Sequence, residues 1–179
     1  MRTCAARGFT LVELLAVVVI VGVLSVIGVA AFRKQALGTK SIEATGSIAA
    51  IRSAQEERRA LIQAYVNVSA DVTSDSSLFP AVPNGLVRRA FLNDSHTDFG
   101  RWRELNPKIT AEVQFGYAVV AGAPGVAPAF PASGGFPTAV ARQPWYVIAA
   151  YGDGDGDGVR SRFVASSLSH EIFSELEAE

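Results

Sequence analysis

A continuous apolar run near the N-terminus constrains this protein more than any other feature. FTLVELLAVVVIVGVLSVIGVAAF extends from Phe9 to Phe32, roughly 24 residues, long enough to cross the ~30 Å hydrocarbon core of a bilayer as a helix. Glu13 is its only charge, and it holds no proline. The preceding MRTCAARG carries Arg2 and Arg7 as its only charged side chains. Those charges favour an N-in orientation, although Arg33 and Lys34 beyond the run weigh against it.

A cleavable secretory signal has an apolar region of about 7–15 residues, and this one is longer. A plain transmembrane anchor fits the length but leaves Glu13 unexplained. An ionised carboxylate at mid-membrane costs roughly 2.5–3.5 kcal/mol, and less near an end. Either Glu13 snorkels from the first turn to the headgroups, or it has a partner.

The string Arg7-Gly8-Phe9-Thr10-Leu11-Val12-Glu13-Leu14 resembles the class III signal of type IV prepilins and type II secretion pseudopilins. The resemblance covers roughly the first third of the sequence. It implies that a membrane prepilin peptidase cuts after Gly8, and that the new N-terminal Phe9 is then N-methylated. It also implies that Glu13 meets the α-amino group of a neighbouring subunit during assembly. Two opposite charges, each costly in hydrocarbon, are better off paired, so a subunit would be drawn into register with its neighbour. Two departures stand out. The family often has a proline near what is here Ala30, whereas this sequence has Gly22 and Gly28. Cys4 is the single cysteine, so the C-terminal disulfide of many pilins cannot form, nor can a Cys-based zinc site.

All eight prolines lie between Pro80 and Pro144, which marks a long helix followed by a turn-rich domain. The expected divisions are a leader at 1–8, a membrane and filament-core helix at 9–32, an amphipathic continuation at 33–66, and a globular head at 67–179. In the continuation, Ile48, Ile51, Ala54, Leu61, Ile62 and Tyr65 recur at helical spacings opposite Glu56, Glu57, Arg58 and Arg59, as a core-packing stripe requires. A polar connection follows, with a short helix expected around Leu86 to Leu92 and with Trp102 and Leu105 as lids on the core.

From Glu112 to Val120 the pattern alternates, placing Val113, Phe115, Tyr117 and Val119 on one face of a strand. Gly122 to Pro137 is a Gly/Pro/Ala loop. Trp145 to Tyr151 is apolar on both faces and suits a central strand. Val159 to Ala165 is the expected last strand, and Ser169 to Glu179 an acidic tail. The expected fold class is α+β: a long N-terminal helix, membrane-spanning in its first half, packed on a small antiparallel sheet of three or four strands. This is also the pilin fold that the resemblance implies.

One other stretch has distinct chemistry. In Tyr151-Gly-Asp-Gly-Asp-Gly-Asp-Gly158, Asp153, Asp155 and Asp157 alternate and Gly158 follows for a sharp turn. This matches positions 1, 3, 5 and 6 of an EF-hand-type calcium loop. The match then fails, because Val164 stands where a bidentate Glu is required. The Val159 carbonyl or Glu171 would have to complete the shell. An Asp-Gly turn without any ion is the competing reading.

The formal net charge of -1, with basic pairs scattered among acids, argues against a nucleic-acid partner. No Gly-x-Ser-x-Gly elbow, P-loop, His-Glu-x-x-His or dinucleotide fingerprint occurs, and His96 and His170 stand in polar segments. The expectation is therefore no enzyme. It is a structural subunit, a major or minor pilin, inserted in the bacterial inner membrane and assembled with identical or related pilins on a pilus platform into an extracellular filament. The alternatives are a pseudopilin of a periplasmic type II secretion filament, and a membrane-tethered, calcium-binding adhesin module that does not polymerise.

Overall fold

The computed structural model describes residues 9–81, 87–92, 95–131, 140–154 and 156–175. The protein divides into two compact units, Met1–Ala36 and Leu37–Glu179. Helix α1 runs Leu11–Ile62 and contributes to both. In the first unit the described residues are helical from Leu11 onward, and Gly22 and Gly28 lie inside that helix.

In the second unit α1 presents Ala44, Ile48, Ile51 and Gln55, all fully buried, at the i, i+4, i+7, i+11 spacing of a helical stripe. The helix stops where Gln63 turns left-handed at φ 57°, with its N–H donating to the Arg59 carbonyl over 2.9 Å. This is an αL cap made without glycine. The expected continuation to Val66 therefore ends a turn early, and Leu61 and Ile62 are 72% and 55% exposed rather than part of the stripe. The reason is Gln55. Its amide donates to the Val66 carbonyl at 2.8 Å and accepts the Val66 N–H at 2.9 Å. The backbone thereby folds back at the point where the apolar stripe would have continued.

Strand β1 (Arg89–Ala90) pairs antiparallel with β2 (Glu112–Val113) in a two-stranded ribbon. The helix expected around Leu86 to Leu92 is not found over its described part, and Leu86 itself lies outside the described residues. Phe91 is drawn into a cluster with Phe79 and Trp102, at 5.4 and 5.2 Å between ring centroids. That packing outweighs local helix propensity. Helix α2 (Phe99–Leu105) buries Trp102 and Leu105, as expected of core lids.

The main sheet is β3 (Gly116–Gly122), β4 (Trp145–Gly152), β5 (Ser161–Ser166) and β6 (Ser169–Glu175), antiparallel in that order. Val113, Phe115, Tyr117 and Val119 do share one face and one core with Ile48 and Ile51. Their strand is, however, divided between β2 and β3. β4 is central, sending Ile148 and Ala150 to that core and Val147 and Ala149 to a second cluster with Val72, Leu78 and Val164. The outer edge of β3 is partly paired, since Phe79 and Tyr117 exchange two 2.8 Å backbone bonds.

The expected acidic tail is instead strand β6. It returns from β5 through a two-residue turn, and Ile172 packs against the helix-side core. Its acids are those of an edge strand, where charge deters further pairing. Residues 176–179 of that expected tail lie outside the described residues. The architecture is α+β, consistent with the pilin fold.

Candidate functional site

Gly8 and the whole of 1–8 lie outside the described residues. Phe9 is 81% exposed and precedes Thr10, which caps the start of α1. The Thr10 N–H and hydroxyl both donate to Glu13 Oε2, at 2.9 and 2.8 Å, and the Glu13 N–H donates to Thr10 Oγ1 at 3.3 Å. This is a capping box, Thr-x-x-Glu, in which each side chain satisfies the other residue's backbone donor. It gives Glu13 local partners at the edge of an apolar segment. The pattern Thr10-Leu11-Val12-Glu13 is visible in the sequence, but an argument from charge burial alone looks for the partner of Glu13 in other subunits.

Leu11–Val29 is long and apolar enough to cross a membrane, and none of it is buried within the subunit. Its 19 residues rise about 28 Å at 1.5 Å each. Every residue from Phe9 to Val29 is exposed. A soluble domain rarely leaves so large an apolar surface uncovered. Such a surface fits a helix anchored in a membrane.

A family model described as the prokaryotic N-terminal methylation motif matches residues 4–29. The protein bears a class III prepilin signal. This signal is that of type IV pilins and pseudopilins, and it supports a pilin-like or pseudopilin-like substrate of prepilin peptidase. It points to a family of structural proteins, and with the apolar helix it fits membrane anchoring before assembly. Comparison with curated proteins and with solved structures returns no match. The signal is thus what identifies this prepilin-like protein, and the head contributes its fold.

The Asp-Gly loop lies in the second unit, between β4 and β5. Asp153 is buried, and its two oxygens accept the N–H groups of Gly156 and Gly158 at 2.7 and 3.1 Å. Asp157 Oδ1 accepts the Val159 N–H at 2.7 Å. Gly156 and Gly158 have φ of 84° and 92°, a backbone that suits glycine. The Lys40 ammonium donates to the Gly154 carbonyl. Asp155 lies outside the described residues. Among the described residues no group of three or more His, Cys, Asp or Glu is placed to hold a metal ion. Carboxylates remain the right donors for a hard cation, but Asp153 here fastens its own loop.

His96 is held through its ring, and His170 takes part through its backbone carbonyl. His96 Nδ1 accepts the Asp98 N–H at 3.0 Å, and its ring stands edge-on to Phe79. The His170 carbonyl is one of three successive carbonyls, from Ser169 to Glu171, that accept bonds from the Arg52 guanidinium. This clamp ties α1 to the start of β6.

Proposed function

We propose that this protein is a structural subunit, a major or minor pilin, of a type IV pilus. Prepilin peptidase removes the leader after Gly8, Phe9 becomes the N-methylated N-terminus, and the subunit waits in the inner membrane. On the assembly platform, Glu13 pairs with the α-amino group of a neighbouring subunit, and the apolar helices bundle as the filament core. The observation that carries this reading is the fully exposed apolar helix Leu11–Val29 directly behind the prepilin signal. A filament offers such a helix the cover that the subunit's own fold does not.

Calcium in the Asp-Gly loop is a separate proposal. It rests on the alternation of Asp153, Asp155 and Asp157 ahead of Gly158, and not on the pilin reading.

The deciding experiment is intact mass on sheared filaments and on the cell envelope. A mature subunit beginning at methylated Phe9 in the filaments establishes the pilin, and its abundance separates major from minor. A processed subunit found only in the envelope makes it a pseudopilin. A product still beginning at Met1 overturns both.

A further inference from the structure

We propose that Asp153 protects the Asp157–Gly158 peptide bond from isomerisation. An aspartate followed by glycine is chemically vulnerable, because no Cβ on the glycine hinders the approach of its nitrogen. The glycine N–H gives its proton to a solvent base, and the nitrogen bonds to the aspartate Cγ. One carboxyl oxygen leaves as water, and a five-membered succinimide remains. Water then opens either carbonyl. When it breaks the original backbone C–N bond, the polypeptide runs on through Cγ as isoaspartate. One water is lost and one regained, so the change is an isomerisation that needs no other reactant.

Three contacts oppose that reaction here. The attacking nitrogen would be Gly158 N, and its N–H is directed at Asp153 Oδ2 at 3.1 Å. Removing that proton would place an amide anion beside a carboxylate, which the repulsion of like charges disfavours. The target carboxyl is also held, since Asp157 Oδ1 accepts the N–H of Val159, one residue past the nitrogen that would attack. Asp153 is itself fixed: it is 8% exposed, and its other oxygen accepts the Gly156 N–H at 2.7 Å. Gly158 N must leave Asp153 before it can turn on Asp157, so the reaction waits for the loop to open.

The consequence is a division of labour among the acids of the loop. Asp153 faces inward and secures the backbone, and Asp157 outlasts its own sequence context. The protection is local and holds for a pilin or a pseudopilin alike.

The test ages the purified full-length protein in detergent micelles with a chelator present, so that no bound ion contributes. Isoaspartate is read by enzymatic carboxyl-methylation and is located by peptide mapping. A synthetic peptide spanning residues 150–160 is the unprotected reference. Residue 157 should isomerise in the intact protein at least about tenfold more slowly than in the peptide, as expected when reaction requires local opening. Asp153→Ala should raise the rate in the protein towards that of the peptide. Asp153→Asn, which keeps the shape and one acceptor, should fall between. Equal rates in native protein and peptide overturn the proposal whatever the variants do. So does a slow rate that neither substitution changes.

Discussion

Thr10 and Glu13 close on each other at the head of α1, with the Thr10 N–H and hydroxyl both bonded to one carboxylate oxygen. The acid in the apolar run has a local role here, and the proposed filament would give it a second. Within the subunit it caps the helix, and in the proposed filament it meets a neighbour's amine. The two roles can be separated by substitution. Glu13→Gln preserves the capping pattern, which accepts Glu or Gln, but removes the charge. Glu13→Val removes both. If charge pairing drives assembly, both variants should insert in the membrane and neither should form filaments. Normal filaments from Glu13→Gln would show that the charge is dispensable, and their loss in Glu13→Val alone would assign the effect to the cap.

Thr10→Ala tests the cap from the other side. It removes the hydroxyl that donates to Glu13 and accepts its N–H, a loss worth about 1 kcal/mol for a typical N-cap. The expected result is faster amide hydrogen exchange at Glu13 in micelles, with the head unchanged. Unaltered exchange there would show that the capping box adds nothing to the start of the helix.

Gly46 lies inside α1 in the second unit, and a Cβ built on it meets nothing within 4 Å. Glycine costs about 0.8–1 kcal/mol relative to alanine in a helix interior. Gly46→Ala should therefore raise the melting temperature of the monomeric protein in detergent. A lowered value would mean that the position needs the freedom of glycine, which its backbone gives no reason to expect.

Legibility in the sequence followed the range of the forces involved. The stripe through Ile48 and Ile51, the alternation through Tyr117 and Val119, and the two-faced strand around Ile148 depend on short-range periodicity. Each appears in the fold. The misreadings depend on distant partners. Phe91 is placed by Phe79 and Trp102. Leu61 and Ile62 are stranded outside because Gln55 grips Val66. Ser169 to Glu175 reads as polar tail because a charged edge strand offers few apolar positions. At the functional end, Gly8, Phe9 and Glu13 fall within six consecutive residues, a pattern that needs no fold to be recognised. The Thr10 contact needed only the i, i+3 spacing. The roles of Lys40 and Arg52, bonded to carbonyls more than a hundred residues away, have no signature in the sequence.

Tyr146 gives the head an alkaline limit. Burial pushes its hydroxyl from the ordinary value of 10.0 up to about 12, because the phenolate is the charged form and loses most on leaving water. The ring stands edge-on to Tyr65, whose hydroxyl burial also raises. A pKa raised on folding adds stability that is full below the unfolded value and is lost as pH rises through the folded one. Melting temperature should accordingly hold up to about pH 10 and then fall towards pH 12. Tyr146→Phe should soften that fall. Tyrosinate absorbance appearing at the same pH as in free tyrosine, with the fold intact, would contradict the assignment.

The Asp-Gly loop can be tested for calcium independently of its resistance to isomerisation. Asp153, Asp155 and Asp157 bring three like charges into five residues. A divalent cation among them would relieve that repulsion by binding carboxylate oxygens directly, whereas the Lys40 ammonium is seen bonded to the Gly154 carbonyl. Millimolar calcium should raise the melting temperature of the full-length protein in detergent, and magnesium, which demands a tighter octahedral shell, should do less. Asp155→Ala should abolish the increase. Asp153→Ala should lower stability even in chelator, because Asp153 holds the Gly156 and Gly158 amides whether or not an ion is present. If calcium leaves the wild-type melting temperature unmoved, these acids are a turn fastened by its own backbone, and the resemblance to a calcium loop ends at its spacing.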